Sequence, residues 1–320
     1  MQAVSNASLF RTPEGTVESL VRGLNGIDWL DWGNYKSVQM RARLAPDGRA
    51  LTLLDQPPVM EPTLACEEPL GIEDAKVYWD EATQLYHILY AAVSWQQGTP
   101  FETKLDRIAY ATANRDWTVI TKYGLIGPDM KSRAAQIIRL PDGRYCILWT
   151  GMSDTPQSTI YAAYVDELSP DAIRRALAQS WRNRHDQTVL GPLPKARRGP
   201  EIGGTLWTPR GWVLFFPASD VTKPKPGVRP GEWHIWAARA NLEDPCREVE
   251  LLPWPVLVPE HPIETGGKSP YIAMATGAID IDERVVVSYG AGDVTVALAE
   301  GSLNLLHDNF DRFGVYTIAA

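Results

Sequence analysis

The sequence predicts an all-β fold, a five-bladed β-propeller, and three observations carry that expectation. Apolar residues fall in short runs rich in β-branched and aromatic side chains rather than at helical spacing. Tight-turn signals recur at five places between such runs. The turns are separated by about 60 to 70 residues, room for one elaborated four-stranded blade each.

The first turn is Pro13-Glu14-Gly15. In the second unit, runs at 76–79 and 85–90 flank the turn at 81–84, and a further run follows at 107–111. In the third, 136–140 and 145–149 flank Pro141-Asp142-Gly143-Arg144, with 160–164 next. Pro209-Arg210-Gly211 and Asp280-Ile281-Asp282-Glu283 mark the fourth and fifth. Proline presets φ for a turn and Asp-Gly tolerates positive φ, so each signal has a mechanism. One helical segment is expected near 169–182, with Ser169 as N-cap, Pro170 in the first position and Asp171 in the first turn. It reads as a short insertion between units. The Pro- and Gly-rich stretch 224–231 reads as a loop, because strand grammar resumes after it; residues 1–320 are expected to form a single domain.

With 44% hydrophobic and 22% charged residues, the 320-residue chain has globular composition rather than that of a disordered protein. Its formal net charge of −8 repels polyanions, and the densest basic run, Lys195-Ala196-Arg197-Arg198, is too short to offset it. Nucleic acid is not an expected partner. No run approaches the roughly 18 apolar residues of a spanning helix, and the N-terminus lacks a basic and an apolar signal region. A cytoplasmic protein without membrane attachment is expected. Cys66, Cys146 and Cys246 match neither a disulfide framework nor a paired metal site, and the five histidines lack ligand spacing. No metal or organic cofactor is implied.

In a propeller, the inner strands deliver their terminal loops to one central pocket. Glu73 and Asp74 precede a strand, Glu201 lies in the Gly-rich stretch 199–204, Asp293 follows the small residues 290–292, and Glu260 and Glu264 lie upstream. Convergent carboxylates suit glycosidic bond cleavage, in which one acid protonates the leaving oxygen while a nucleophile or base acts on the opposite sugar face. Trp95, Trp149, Trp207 and Trp233 are candidates for stacking on sugars, against the competing reading of blade packing.

The stretch Gly71-Ile72-Glu73-Asp74-Ala75-Lys76 resembles the Gly-x-Glu-Asp-Pro-Arg signature of glycoside hydrolase family 130. Asp47-Gly48, Lys131-Ser132, the segment 140–145, the segment 208–214, Thr276-Gly277-Ala278 and Tyr289-Gly290-Ala291-Gly292-Asp293 are similar to further family motifs, in the same order. The resemblance implies a five-bladed propeller acting on β-mannosides, as an inverting phosphorylase or, in some branches, a hydrolase. It implies Asp74 as general acid, delivering its proton through a sugar hydroxyl. Asp293 matches a substrate-contacting aspartate, Lys131 a lysine on the anion side of the pocket, and Arg22 an arginine that contacts phosphate. Glu264 matches a substrate-site glutamate of unassigned role.

The chain departs from the family pattern at several of these places. Asp-Pro-Arg becomes Asp74-Ala75-Lys76, trading a guanidinium fork for a point charge. His-Arg in the third blade becomes Trp149-Thr150-Gly151, and Tyr-His-Gly in the fourth becomes Phe216-Pro217-Ala218. Arg133 compensates in part, but a phosphate dianion ordinarily takes several charge-assisted donors. These losses favour water as nucleophile, hence an inverting hydrolase with Glu201 as base and Asp154 or Asp220 as fallbacks. The alternatives are a phosphorylase holding inorganic phosphate as co-substrate on Arg22, Lys131 and Arg133, and a non-catalytic sugar-binding propeller. The expected partner is an oligosaccharide or glycoside, and a monomer or dimer is expected because strand sequence begins near the N-terminus.

Overall fold

Each of the five tight turns expected from the sequence closes an antiparallel hairpin. The computed structural model describes residues 3–25, 35–95, 104–152, 157–193, 196–220 and 232–317. The first unit runs β1 (Ala3–Arg11), β2 (Val17–Asn25), β3 (Lys36–Leu44) and β4 (Leu51–Leu53), each paired with the next. The second runs β5 (Pro69–Asp80), β6 (Leu85–Trp95), β7 (Lys104–Asn114) and β8 (Ile120–Leu125) in the same way. A single parallel bridge, Ser37 to Gly71, joins these two units into one sheet.

The third unit is β9 (Ser132–Arg139), β10 (Tyr145–Met152), β11 (Ser158–Val165), then helix α1 (Pro170–Arg182) and β12 (Thr188–Leu190). Ser169 caps α1 by accepting from the Ala172 amide at 3.2 Å. The helix was expected between units. It lies instead inside the third, because β12 returns to pair with β11 and Ile173 and Leu177 cover that sheet. The fourth unit has β13 (Ala196–Arg198) on one edge, followed by β14 (Gly204–Thr208), β15 (Gly211–Asp220), β16 (Glu232–Ala240) and β17 (Val249–Leu251). After the short helix α2 (Pro262–Thr265), the fifth unit is β18 (Ala273–Ile281), β19 (Arg284–Ala291) and β20 (Thr295–Ser302). Helix α3 (Leu303–Phe313) then leads to β21 (Val315–Thr317), which pairs with β17 of the fourth unit.

The strands read as nearly continuous apolar runs because both faces of each sheet are covered. Along β10, Tyr145, Ile147 and Trp149 pack with Leu89, Ile108 and Tyr110 of the second unit, whereas Cys146 and Leu148 pack with Leu214 and Phe216 of the fourth. Along β15 the same alternation sends Val213 and Phe215 toward the fifth unit. A period of two thus serves two cores at once. Leu9, Leu44, Ile279 and Val286 form the apolar contact between the fifth unit and the first.

The first strands β1, β5, β9, β14 and β18 touch one another in a closed cycle. Thr276 and Ser288 hydroxyls both donate to the Ala7 carbonyl, at 2.8 and 2.6 Å, where the last unit meets the first. Four of these inner strands carry a register irregularity: at Asn6 in β1, at Asp74 and Ala75 in β5, at Ala134 in β9 and at Thr276 in β18. Asn6, Asp74 and Ala134 have φ of 52°, 50° and 48°. A bulge re-aims the side chains beside it, so the fold bends its inner strands repeatedly near one level. Among the described residues no helix is long and apolar enough to cross a membrane.

Gly71 sits at the junction of the first two units with φ of 101°, and a Cβ there would run into the Ser37 backbone. Gly71→Ala therefore combines a left-handed backbone with an overpacked contact, and a loss of about 2–4 kcal/mol is expected from denaturant unfolding.

Candidate active site

The bulge in β5 places two consecutive carboxylates in different surroundings. Asp74 is half-buried, and Oδ1 accepts a hydrogen bond from Asn6 Nδ2 of the β1 bulge at 2.8 Å. A side chain at Gly290 would overlap the Asn6 carboxamide, which explains the glycine in Tyr289-Gly290-Ala291. Glu73 is buried. Its Oε1 accepts from Arg22 Nη2 at 2.6 Å, Tyr35 OH at 2.7 Å and Lys104 Nζ at 3.0 Å.

The ionic contacts continue from there across the inner strands. Lys104 Nζ lies 3.7 Å from Asp106 Oδ1, and Asp106 Oδ2 lies 3.4 Å from Arg133 Nη1 and 3.8 Å from Lys131 Nζ. Arg133 Nη2 in turn donates to Glu201 Oε1. Lys268 closes the other side, its Nζ 4.8 Å from the Tyr35 ring centroid, which Arg22 and Lys104 also approach. Asp293 lies within electrostatic reach of Arg22 and Lys268, and Asp74 within reach of Arg22 and Arg133.

The charges tune one another. Burial pushes the Glu73 carboxyl up, but Arg22, Lys104 and the Tyr35 hydrogen bond outweigh it and hold the group well below the usual carboxylate range. Burial raises the Asp293 carboxyl against the pull of Arg22. It lowers the Lys131 ammonium against the pull of Asp106.

Of the residues singled out in the sequence, Arg22, Asp74, Lys131, Arg133, Glu201 and Asp293 thus fall in one electrostatically connected group. Glu264 does not join it. Its Oε2 accepts from the Glu260 and His261 amides at 2.7 and 2.8 Å and its Oε1 from Tyr289 OH at 2.6 Å. It caps α2, and its carbonyl accepts from the Tyr271 amide, tying down the loop that carries Lys268. Asp154 lies outside the described residues, as do the side chains of Asp220 and Trp95. Trp149 and Trp233 are buried and Trp207 is exposed; Trp149 donates to Ser180 Oγ at 3.1 Å within the core.

Sequence reasoning missed Asn6, Tyr35, Lys104, Asp106 and Lys268, and noted Glu73 without giving it a role. Lys104 and Asp106 stand two apart at the start of β7, so period-2 reading finds them once the strand is begun at 104 instead of 107. Tyr35 and Lys268 carry no local signal. The replaced phosphate motifs prove to be core: Trp149, Phe216 and Ala218 are fully buried, and Thr150 Oγ1 accepts from the Ile202 amide at 2.9 Å.

A family model described as beta-1,4-mannooligosaccharide phosphorylase matches residues 47–311. The chain belongs to glycoside hydrolase family 130. It is 23% identical over 273 residues to the 1,2-beta-oligomannan phosphorylase of Thermoanaerobacter sp. (strain X514), covering 84% of this chain and 79% of that one. Its fold is similar to that of the beta-1,2-mannobiose phosphorylase from Listeria innocua, solved with beta-1,2-mannobiose, with a TM-score of 0.73 at 18% identity over 97% of this chain and 92% of that one. A glycosyl hydrolase from Bacteroides ovatus is similar in fold, with a TM-score of 0.71 at 18% identity over 95% and 85% of the two chains. The chain is thus one of a family of enzymes that act on glycosides.

These findings overturn the sequence-based preference for hydrolysis, because the matched family model and the relative aligned along most of the chain are both phosphorylases. That preference counted lost phosphate motifs but not the cations that other strands and loops bring in, Lys104 and Lys268 among them. The expectation of Glu201 as base for water falls with it, and Glu201 is paired with Arg133.

Glu73→Gln leaves Arg22 and Lys104 without their buried anion, and a loss of about 3–5 kcal/mol at pH 7 is expected. Because the Glu73 carboxyl is depressed, its contribution is present above the ordinary glutamate value of 4.5 and fades as pH falls below it. Unfolding curves of parent and variant should converge in acid.

Proposed function

We propose that the chain is an inverting, phosphate-dependent β-mannoside phosphorylase, with the five strand units arranged as the blades of a single propeller domain. The closed cycle of first strands supports that architecture, since five sheets packed face to face around their innermost strands have this connectivity.

The observation that carries the reaction is the charge balance of the site. Six cations, Arg22, Lys76, Lys104, Lys131, Arg133 and Lys268, stand among five carboxylates, Glu73, Asp74, Asp106, Glu201 and Asp293. With Asp74 carrying the proton that a general acid needs, two positive charges are in excess. A phosphate dianion matches this positive excess, as a neutral water would not. Lys131 and Arg133, aligned by Asp106 and Glu201, are its nearest donors in this reading, with Arg22 contributing from the Glu73 side.

A phosphate oxygen then bonds to the anomeric carbon as the glycosidic C–O bond breaks. The proton of Asp74 passes through a sugar hydroxyl to the leaving oxygen, and inversion of a β-mannoside yields α-mannose 1-phosphate. Phosphate arrives as an anion and needs no base. Asp293 receives the sugar hydroxyls.

The test is incubation with β-1,2- and β-1,4-mannobiose, with and without inorganic phosphate. Mannose 1-phosphate is expected only when phosphate is present, and Asp74→Asn should lower kcat by about 10²–10⁴-fold. Arg133→Met should raise KM for phosphate by an order of magnitude more than KM for the sugar. Free mannose released at the same rate without phosphate overturns the reading.

A further inference from the structure

Lys76 stands at the centre of the strand cycle and has no part in bond breaking as described above. It lies on β5 two residues beyond Asp74 and is 4% exposed. Its Nζ donates to the Gly203 carbonyl, just ahead of β14, and to the Thr276 carbonyl at the β18 bulge. One ammonium therefore joins the inner strands of the second, fourth and fifth units.

Both acceptors adjoin groups of the candidate site. Gly203 is two residues from Glu201. Thr276 donates its hydroxyl to the Ala7 carbonyl, next to the Asn6 that holds Asp74. The two carbonyls also have little freedom, because β14 packs on β18 with backbone against backbone: a Cβ on Gly203 would strike the Ala275 carbonyl, and one on Gly204 the Ala278 amide. Two converging buried carbonyl dipoles without a donor between them would be costly, and a charged amine satisfies both. Asp74 is the charged group that acts on this amine; Lys131, Arg133 and Glu201, from the neighbouring elements, are engaged with one another and with Asp106.

We propose that Lys76 is a positioning residue for Asp74: clasped by Gly203 and Thr276, it fixes the β5 bulge that presents the Asp74 carboxyl and holds a positive charge beneath it. This rests on Asp74 being the general acid. The charge offsets the negative charge that develops on the Asp74 carboxyl in the transition state. Burial brings the ammonium down to about 8 against the pull of Asp74, so the clasp loses its charge in mildly alkaline solution.

The experiment compares Lys76→Arg and Lys76→Met with the parent and Asp74→Asn, measuring phosphorolysis of mannobiose from pH 6 to 10 with cooperative melting as the fold control. The parent's kcat is expected to fall above a pH of about 8. Lys76→Arg, which stays charged throughout, should carry that limb upward by about one pH unit or more. Lys76→Met should lose roughly 10–100-fold in kcat with KM nearly unchanged, the split expected of an effect confined to the transition state. A Lys76→Arg profile that superimposes on the parent's, or a Lys76→Met enzyme with parental kcat, overturns the proposal. If Lys76→Met does not melt cooperatively, the arginine profile decides. Full activity in Asp74→Asn would instead remove the reading of Asp74, and with it the role of Lys76.

Discussion

A carboxylate as deeply buried as Glu73 is tolerable only with charged partners, and it takes them from separate parts of the chain. Arg22 comes from β2, Lys104 from the start of β7, and the Tyr35 hydroxyl from the residue before β3. The pairing fixes the first unit against the second and aligns the segment in which Asp74 is the next residue. Arg22 and Lys104 act mainly on Glu73, while Lys131 and Arg133 face Asp106 and Glu201. Removing the hub would leave the buried Arg22 and the part-buried Lys104 without their shared anion, so the fold and the chemistry share one electrostatic constraint.

The same economy of backbone appears in the inner strands. A residue of extra length in β1, β5, β9 and β18 bends each strand near one level, and polar groups gather there: Asn6, Asp74, Arg133 and Thr276. Close backbone approach at Gly203, Gly204 and Gly277 lets these strands crowd together. The buried Lys76 ammonium lies among them, donating to the Gly203 and Thr276 carbonyls.

The misjudged nucleophile shows where motif counting fails. Loss of two motifs was read as loss of phosphate affinity, yet Trp149 and Phe216 are core residues whose identity is set by packing between units. Affinity for an anion depends on the summed field of all nearby charges. That sum includes Lys104 and Lys268, which no motif announced.

The sequence by itself determined the strands, all five hairpin turns, the helix with its Ser169 cap, and the family, because these depend on neighbours within a few residues or on motifs in fixed order. Together with the family resemblance it singled out Asp74, Lys131, Arg133, Glu201 and Asp293, although it set Asp74 ahead of a strand and the structure has it at a bulge inside β5. Tertiary structure alone decided which charges meet. Glu264 caps α2 apart from the charged group, Lys76 donates to the Gly203 and Thr276 carbonyls, and Tyr35 and Lys268 entered unannounced. The physical reason is range: a turn or a strand is fixed by local sterics and a period of two, whereas an ion pair such as Arg133 with Glu201 is fixed only when separate sheets close around a common centre.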